Sequence, residues 1–272
     1  MQQQFEADEV CQALGVGAVM YRGTGSFGET WRADFDEQDA AYKIIYKDGY
    51  DLQRLSREVA SYRRIDHPNV VALLDIRQAH IRGVDRPVMV FEYIDGCDLS
   101  DVVADVRPSA AELRALASGL LAGVSAMHAA DLLHRDLKPA NVALRGGNYG
   151  NPVILDLGLA KLLDVETITT YPTLVGTTLY MAPEQLRQER ALRASDLWAV
   201  GELLFEAAVG SHPFFRPGES LTIGEAMKRL SAPPEMPSTL PPDVAILIVR
   251  CLSDPPYRRG TVAKALSLLA GG

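Results

Sequence analysis

Cysteine is scarce in this chain, and the few cysteines that occur lie far apart. Cys11, Cys97 and Cys251 are the only three among 272 residues. An odd number of cysteines without the short spacings of metal ligands argues against both a disulfide framework and a zinc site. We therefore expect three buried or inert thiols in a reducing compartment.

Basic charge and long apolar runs are also lacking. The formal net charge is -8, from 27 basic and 35 acidic residues, whereas a nucleic-acid-binding protein carries a basic face. No apolar run approaches the ~20 residues of a membrane span. Residues 1–9 are polar and acidic, unlike a signal peptide. These absences predict a cytoplasmic protein with no membrane span in this chain and no nucleic-acid partner.

The composition that remains is that of an ordinary globular protein. Apolar residues make up 47% and charged residues 23% of the chain, the usual proportions for a folded domain. Strand-like patterns fill the first third of the sequence and helical patterns follow. We therefore predict an α+β fold of two lobes, a strand-rich N-lobe over residues 1–92 and a helical C-lobe over residues 93–272.

The predicted elements follow from hydrophobic periodicity and from turn residues. The predicted strands are 16–21, 29–35, 40–46, 70–76 and 87–93. The predicted helices are 52–62, 113–127, 195–209, 223–230, 244–252 and 262–269. Ser109, with Glu112 three residues later, predicts a capping box at the start of the second of these helices.

A glycine-rich motif lies between the first two predicted strands. It reads Gly23-Thr24-Gly25-Ser26-Phe27-Gly28. Dinucleotide-binding folds use the same spacing, but there a helix follows at once, whereas here a strand follows. A glycine loop between strands is typical of kinases, in which backbone N–H groups approach the phosphates of ATP without side-chain clash.

Lys43 interrupts an apolar strand, and Glu58 lies on the predicted helix that follows. A lysine in a buried strand costs free energy unless it is paired. Taken singly, Lys43 would fit an exposed edge strand and Glu58 a solvated helix face. Together they predict an ion pair that holds the Lys43 ammonium against the α- and β-phosphates of ATP.

The segment 134–141 is the most specific in the chain. It reads His134-Arg135-Asp136-Leu137-Lys138-Pro139-Ala140-Asn141. An apolar strand further on ends in Asp156-Leu157-Gly158. With the glycine motif and Lys43, these segments resemble the eukaryotic-type protein kinases, and Lys138 resembles their serine/threonine branch. The resemblance extends over residues 16–269, and the compact length looks like that of bacterial members.

The resemblance implies a role for each matching residue. Asp136 would accept or orient the proton of the substrate hydroxyl, Lys138 would neutralise charge on the moving phosphoryl group, and Thr177 would contact both. The other implied catalytic residues are Lys43 and Glu58, and the implied metal ligands are Asn141 and Asp156. The implied nucleotide-binding residues are Gly23, Thr24, Gly25, Ser26, Phe27, Gly28, Ala41, Lys43, Glu92, Ile94 and Asp98, with Val16 beside the base. The implied cofactors are ATP and Mg²⁺, with Mn²⁺ as an alternative metal.

The resemblance also implies two contacts outside the catalytic loop. Glu184, in Ala182-Pro183-Glu184, would pair with an arginine near the C-terminus, for which we expect Arg258 with Arg259 as the alternative. Arg135 would hold a phosphorylated activation segment. Our candidate for that phosphorylation is Thr173, four residues before Thr177.

Two other interpretations use the same motifs. A pseudokinase, which is a binding module on this fold, usually lacks the lysine, the base or a metal ligand, and all are kept here. A small-molecule kinase would lack Lys138 and the segment that ends at Glu184. We therefore predict an ATP-dependent serine/threonine protein kinase. Its protein substrates are unknown, and self-association for autophosphorylation is left open.

Overall fold

The computed structural model describes most of the chain, and the chain divides into two compact units. The described residues are 3–25, 28–46, 55, 59–60, 62–156, 173–174 (backbone only), 179–216 and 218–270. The first unit comprises Met1–Asp66 and Val71–Ile94, and the second comprises His67–Val70 and Asp95–Gly272. The first is strand-rich and the second helix-rich, so the predicted α+β fold class is confirmed.

A short helix precedes the sheet of the first unit. This helix, α1, spans Ala7–Leu14 and ends at Gly15, whose φ of 69° is the left-handed conformation that glycine adopts readily at a helix end. Val10 is its buried residue. The sequence did not predict α1, because its eight residues are fewer than the window of roughly 11–18 residues in which hydrophobic periodicity is a clear signal.

Five antiparallel strands form the sheet of the first unit. They are β1 Val19–Thr24, β2 Gly28–Phe35, β3 Gln38–Ile45, β4 Leu73–Ile81 and β5 Val84–Glu92. Their order in the sheet is β1-β2-β3-β5-β4. Asp36 and Glu37, with φ of 51° and 66°, form the turn between β2 and β3, and positive φ at both central residues suits a two-residue hairpin.

The five predicted strands correspond to β1–β5, with shifted ends. The strand predicted at 16–21 begins at Val19, because α1 and its glycine cap occupy the residues before it. The strand predicted at 70–76 begins at Leu73 and runs to Ile81. The helix predicted at 52–62 lies largely outside the described residues. Of its apolar stripe, Leu55, Val59 and Tyr62 are buried.

One face of this sheet packs against α1 and the segment before it. Successive strand residues point to opposite faces, so Tyr42 and Ile44 lie on this face and Lys43 on the other. The buried residues that share this face form one cluster: Phe5, Val10, Trp31, Ala33, Ala40, Tyr42, Ile44, Ala79, Ile81, Val88 and Val90. We call it the outer cluster.

The second unit contains two small sheets and most of the helices. Strands β6 Gly96–Asp98, β7 Val142–Arg145 and β8 Pro152–Ile154 form one sheet, and β9 Thr173–Leu174 pairs with β10 Leu221–Thr222. The helices are α2 Leu99–Val102, α3 Ala110–Ala129, α4 Pro183–Leu186, α5 Arg193–Val209, α6 Ile223–Leu230, α7 Pro242–Cys251, α8 Pro256–Arg259 and α9 Val262–Leu269. A 3₁₀ turn spans Pro139–Asn141. The predicted helices at 223–230 and 262–269 match their observed bounds.

Helix α3 carries much of the core of the second unit. Its capping box is the predicted one, since the Ser109 side chain accepts from the Glu112 N–H while the Glu112 carboxylate accepts from the Ser109 N–H. Among the described residues α3 alone is long and apolar enough to cross a membrane by length and composition. It packs against α5, α9 and β8, so the same apolar residues serve a protein core.

Candidate active site

The candidate catalytic segment, residues 134–141, lies in the second unit between α3 and β7. Lys138 Nζ donates to Asp136 Oδ2 at 3.1 Å, and the two side chains are 23% and 9% exposed. Asn141 Nδ2 donates to the Asp136 carbonyl oxygen at 2.8 Å. The fold therefore brings together three of the polar residues that the sequence singled out. Lys138 holds the carboxylate of Asp136, and Asn141 holds its backbone carbonyl.

Asp196, in the first turn of α5, anchors the segment from the protein core. Its side chain is 1% exposed, and it accepts the backbone N–H groups of His134 at 3.2 Å and Arg135 at 2.9 Å. It also contacts His128 Nε2 at 2.8 Å. Arg135 has a φ of 65°, which costs a non-glycine residue roughly 1–2 kcal/mol. These bonds to a carboxylate offset that strain, since charge-assisted hydrogen bonds are strong.

His134 joins the catalytic segment to the strand end before Asp156. Its Nδ1 accepts the Asp136 N–H at 3.3 Å, and its Nε2 lies 2.9 Å from the Leu155 carbonyl oxygen. An Nδ1 that accepts and an Nε2 that donates define the neutral tautomer with the proton on Nε2. One buried imidazole thereby ties the backbone at Asp136 to the residue that precedes Asp156.

Asn141 and Asp156 supply the oxygen donors of the candidate metal site. Asn141 is 8% exposed, and Asp156 is exposed with a φ of 50°. Within the described ranges, no group of three or more His, Cys, Asp or Glu side chains is arranged to hold a metal ion. One carboxylate and one amide oxygen fit Mg²⁺, which proteins hold through one or two carboxylates together with substrate phosphates.

Lys43 lies on β3, an inner strand of the first unit between β2 and β5. It is 9% exposed, so the alternative of an exposed edge-strand lysine is wrong. Across the sheet it pairs in register with Thr30 and Met89. Gly28, nearby on β2, could not be another residue, because a Cβ there would collide with the Ile44 carbonyl oxygen.

The residues expected around the nucleotide base are divided between the units. Ala41 of β3 stands in register with Phe91 of β5, next to Glu92. Asp98 belongs to the second unit, where it is the N-cap of α2. The expectation for Val16 was wrong: it packs against the outer cluster, on the face opposite to Ala41, because the residues between α1 and β1 stay with the helix.

Several predicted site residues lie outside the described residues. They are Ser26, Phe27, Glu58 and Thr177. The Lys43–Glu58 ion pair and the contacts of Thr177 therefore stay predictions. The backbone of Thr173 is described, and it pairs with Thr222 in the β9–β10 ladder.

Comparison with known proteins identifies the family to which this arrangement belongs. The protein kinase domain family matches residues 19–268. The chain belongs to that family. The predicted resemblance is confirmed, and it covers all the motifs described above.

This kinase domain is similar to proteins named as serine/threonine-protein kinases. A probable serine/threonine-protein kinase of Thermomonospora curvata, PkwA, is 35% identical over 218 residues, which cover 80% of this chain and 28% of the relative. PkaA of Streptomyces coelicolor is 32% identical over 272 residues, with 92% and 49% covered. PrkC of Bacillus subtilis is 30% identical over 239 residues, with 84% and 35% covered. The chain thus spans less than half of the length of these relatives.

Glu184 of the kinase domain pairs with Arg259 and not with Arg258. Arg259 Nη1 and Nη2 lie 2.7 and 2.9 Å from the two carboxylate oxygens of Glu184. Arg258 is exposed, so our first choice was wrong and the alternative correct. Both arginines lie on the one-turn helix α8, and consecutive helix residues point about 100° apart, so only one of them can face α4.

The kinase domain also buries an acidic cluster that the sequence did not reveal. Glu202 of α5 is fully buried, and neither of its carboxylate oxygens has a hydrogen bond among the described residues. His212 Nε2 lies 3.7 Å from Glu202 Oε1, and the Tyr180 hydroxyl donates to Glu206 Oε2 at 2.8 Å. Burial raises the pKa of both glutamates and lowers the pKa of His212 to about 4. Burial thus favours the neutral forms of Glu202, Glu206 and His212.

Two of the three cysteines of the kinase domain, Cys97 and Cys251, have thiol groups of raised pKa. All three are free. Burial raises the pKa of Cys251 to about 12, and burial also raises the pKa of Cys97. Because the thiolate is the nucleophile, both side chains are poorly reactive at neutral pH.

Proposed function

We propose that this domain transfers the γ-phosphoryl group of ATP to serine and threonine hydroxyls of proteins. The observation that carries the proposal is the pair formed by Asp136 and Lys138, whose side chains meet at 3.1 Å. An acceptor carboxylate beside a cation suits a reaction in which a hydroxyl loses a proton while negative charge develops next to it. The family match supports the same assignment, and so do the relatives that are named serine/threonine-protein kinases.

Asp136 would orient the substrate hydroxyl and accept its proton. Two hydrogen bonds hold its backbone. The Asp136 N–H donates to His134 Nδ1, and Asn141 Nδ2 donates to the Asp136 carbonyl oxygen. Phosphoryl transfer asks the protein mainly for positioning and charge stabilisation. A residue whose backbone and carboxylate are both held by hydrogen bonds provides the positioning, since little freedom remains to be lost when the substrate binds.

Lys138 would neutralise the phosphoryl group as it moves. Its side chain is 23% exposed, so a substrate could reach it while it remains in contact with Asp136. Its three N–H donors allow it to keep the bond to Asp136 and still donate to a phosphoryl oxygen. Thr177, by resemblance, would bridge these two side chains.

Asn141 and Asp156 would hold Mg²⁺, with Mn²⁺ as an alternative of similar ligand preference. Bound Mg²⁺ supplies charge neutralisation at the β- and γ-phosphates. The bond between Asn141 Nδ2 and the Asp136 carbonyl oxygen fixes the amide plane. Through His134, the backbone before Asp156 is fixed to the same segment.

The first unit would bind the phosphates and the base of the nucleotide. Lys43, held by Glu58, would contact the α- and β-phosphates, and the glycine motif at 23–28 would cover them. The base would lie near Ala41, Glu92 and Ile94, with Asp98 close to the ribose. We infer that residues 1–92 and 93–272 work as the N-lobe and C-lobe of one catalytic domain.

The partners of the domain would be proteins that carry exposed serine or threonine. The net charge of -8 is unsuited to nucleic acid. We infer a cytoplasmic setting, where ATP and Mg²⁺ are supplied and thiols stay reduced. Autophosphorylation between two copies would require their transient self-association.

The proposal is tested by incubating the purified chain with γ-labelled ATP, Mg²⁺ and a mixture of generic protein acceptors, followed by phosphoamino-acid analysis. We expect label on serine and threonine and none on tyrosine. Label on tyrosine alone would contradict the serine/threonine assignment. Absence of all transfer by a chain that binds ATP would favour a pseudokinase. Transfer to a small alcohol and not to protein would favour a small-molecule kinase.

A further inference from the structure

The segment before the family match contacts two residues that are bonded to or adjacent to the glycine motif. The protein kinase domain family matches from residue 19 onward, so residues 3–18 lie outside the matched range. Gln4 and Phe5 contact Glu29 of β2, Phe5 also contacts Tyr46, which follows β3, and α1 comes directly after them. All of these residues belong to the first unit.

The first contact is made by Glu29, which comes directly after Gly28. Glu29 is fully buried, which is costly for a carboxylate unless hydrogen bonds satisfy it. Those bonds come from the N-terminal segment: the Gln4 N–H donates to Glu29 Oε1, and the Phe5 N–H lies 3.4 Å from Oε2. The Glu29 backbone is paired with Thr24 of β1 and Ile44 of β3. The N-terminal segment therefore contacts the point at which the glycine motif enters β2.

The second contact is made through Tyr46. The Tyr46 hydroxyl donates to the Gly25 carbonyl oxygen at 3.0 Å, inside the glycine motif. The Phe5 ring packs edge-on against the Tyr46 ring, with centroids 6.4 Å apart. Arg86 stabilises the pair, since its Nη1 donates to the Tyr46 carbonyl oxygen at 2.9 Å and its guanidinium lies 5.3 Å from the Phe5 centroid.

Helix α1 keeps the segment on the sheet. Glu9 accepts two hydrogen bonds from Arg82, in the turn between β4 and β5, at 2.7 and 2.9 Å. Val10 is buried in the outer cluster together with Phe5. Apolar burial and a bidentate ion pair thus hold Gln4 and Phe5 at the strands.

We infer that residues 4–14 form an N-terminal clamp that sets the conformation of the glycine motif, with Glu29 and Tyr46 as positioning residues for nucleotide binding. Neither side chain needs to touch ATP. Glu29 fixes the β2 end of the motif and Tyr46 fixes Gly25, and both depend on the clamp. The inference rests on the proposed function only in naming ATP as the ligand.

The experiment compares four full-length variants with the wild-type chain. Tyr46→Phe removes the hydroxyl that bonds Gly25 and keeps the ring. Glu29→Ala removes the acceptor of the clamp, whereas Glu29→Gln keeps an acceptor oxygen. Asp8→Asn, at an exposed position of α1, is the matched control that removes a charge without touching the motif. The readouts are KM for ATP, kcat, the Kd of Mg²⁺–ATP by calorimetry, and hydrogen exchange of residues 19–33 without nucleotide.

For Tyr46→Phe we expect KM and Kd for ATP to rise about twofold to tenfold with kcat nearly unchanged, because one hydrogen bond contributes roughly 0.5–1.5 kcal/mol. Glu29→Ala should raise KM and Kd for ATP more than Tyr46→Phe does. Glu29→Gln should recover much of the lost ATP affinity, and Asp8→Asn should match wild type. Exchange at residues 19–33 should quicken in Tyr46→Phe and Glu29→Ala.

The result that overturns the inference is unchanged ATP affinity and unchanged exchange at residues 19–33 in both Tyr46→Phe and Glu29→Ala, even if the melting temperature falls. The clamp would then only stabilise the fold. If the wild type binds ATP but transfers no phosphoryl group, the proposed function is contradicted. The comparison of Kd values for ATP then still tests the clamp. If the wild type binds no ATP, the exchange comparison without nucleotide still decides.

Discussion

Arg259 and Glu184 form a fully buried bidentate ion pair, with side chains 0% and 1% exposed. The two guanidinium contacts are 2.7 and 2.9 Å long. The remaining N–H donors of Arg259 reach the carbonyl oxygens of Ser253, Ala194 and Asp254. All five guanidinium donors are thereby used, and this one side chain joins α8 to the segment around α4 and to the start of α5.

We predict that Arg259→Met strongly destabilises the domain, because it leaves the Glu184 carboxylate buried without its cation. Removing one partner of a buried ion pair costs about 3–5 kcal/mol. The matched control is Arg258→Met, on the same short helix but exposed, for which we expect a change within about 0.5 kcal/mol. The measurement is urea unfolding at pH 7. Equal losses in the two variants would show that the Glu184 pair is not what stabilises this region.

The buried pair of Glu202 and His212 predicts opposite pH dependences for two variants. The groups that face this pair are Glu206, Tyr180 and Arg259. Burial raises the pKa of Glu202 well above its ordinary 4.5, so above pH 4.5 the folded state keeps a proton that the unfolded state loses. Stability is then lost as pH rises.

Burial lowers the pKa of His212 from 6.5 to about 4, so below pH 6.5 the unfolded state gains a proton first. Stability is then lost as pH falls.

We therefore expect the stability of Glu202→Gln, relative to wild type, to increase as pH rises from 4.5 to 7.5, by at most about 1.4 kcal/mol per pH unit. The relative stability of His212→Gln should instead increase as pH falls from 6.5 to 4.5. Urea unfolding at several pH values measures both differences. Two flat difference curves would mean that neither group titrates differently in the folded and unfolded states.

The sequence predicted the family and most elements well, because their signals are local. The capping box of Ser109 and Glu112 and the motif at 134–141 each depend on neighbouring residues. The choice between Arg258 and Arg259 depends on the phase of a one-turn helix, which periodicity cannot fix. The burial of Glu202 depends on packing between distant helices, so its sequence context is that of an ordinary helix residue.

The N-terminal helix shows the same limit in the first unit. Val10 is its only buried residue, and its partners in the outer cluster lie on strands far along the chain. The sequence around Glu29 is that of a charged residue on a strand surface. In the structure, Gln4 and Phe5 contact its carboxylate. Long-range contacts, which a single sequence does not display, decide the burial of both Val10 and Glu29.

We predict that phosphorylation at Thr173 activates the enzyme. A phosphothreonine adds about -1.5 to -2 charges and strong acceptor oxygens, which Arg135 can bind. The backbone of Thr173 pairs with Thr222, so a modification there has a defined place in the second unit. Thr173→Ala should lower kcat with little change in melting temperature, and Thr170→Ala is the matched control. Mass spectrometry of protein made with and without a phosphatase locates the phosphates. Full activity of a phosphate-free preparation would refute this prediction.

In the proposed mechanism, Asp136 acts as the base or orienting group of a phosphoryl transfer. The most direct measurement is single-turnover transfer from ATP by wild type and by Asp136→Asn, with the Kd of Mg²⁺–ATP measured for both. Asparagine keeps the size of the side chain and removes its basicity, so we predict a loss of transfer of roughly 10²–10⁴-fold with ATP affinity nearly unchanged. A variant that binds ATP and keeps more than about a tenth of the wild-type rate would contradict the account.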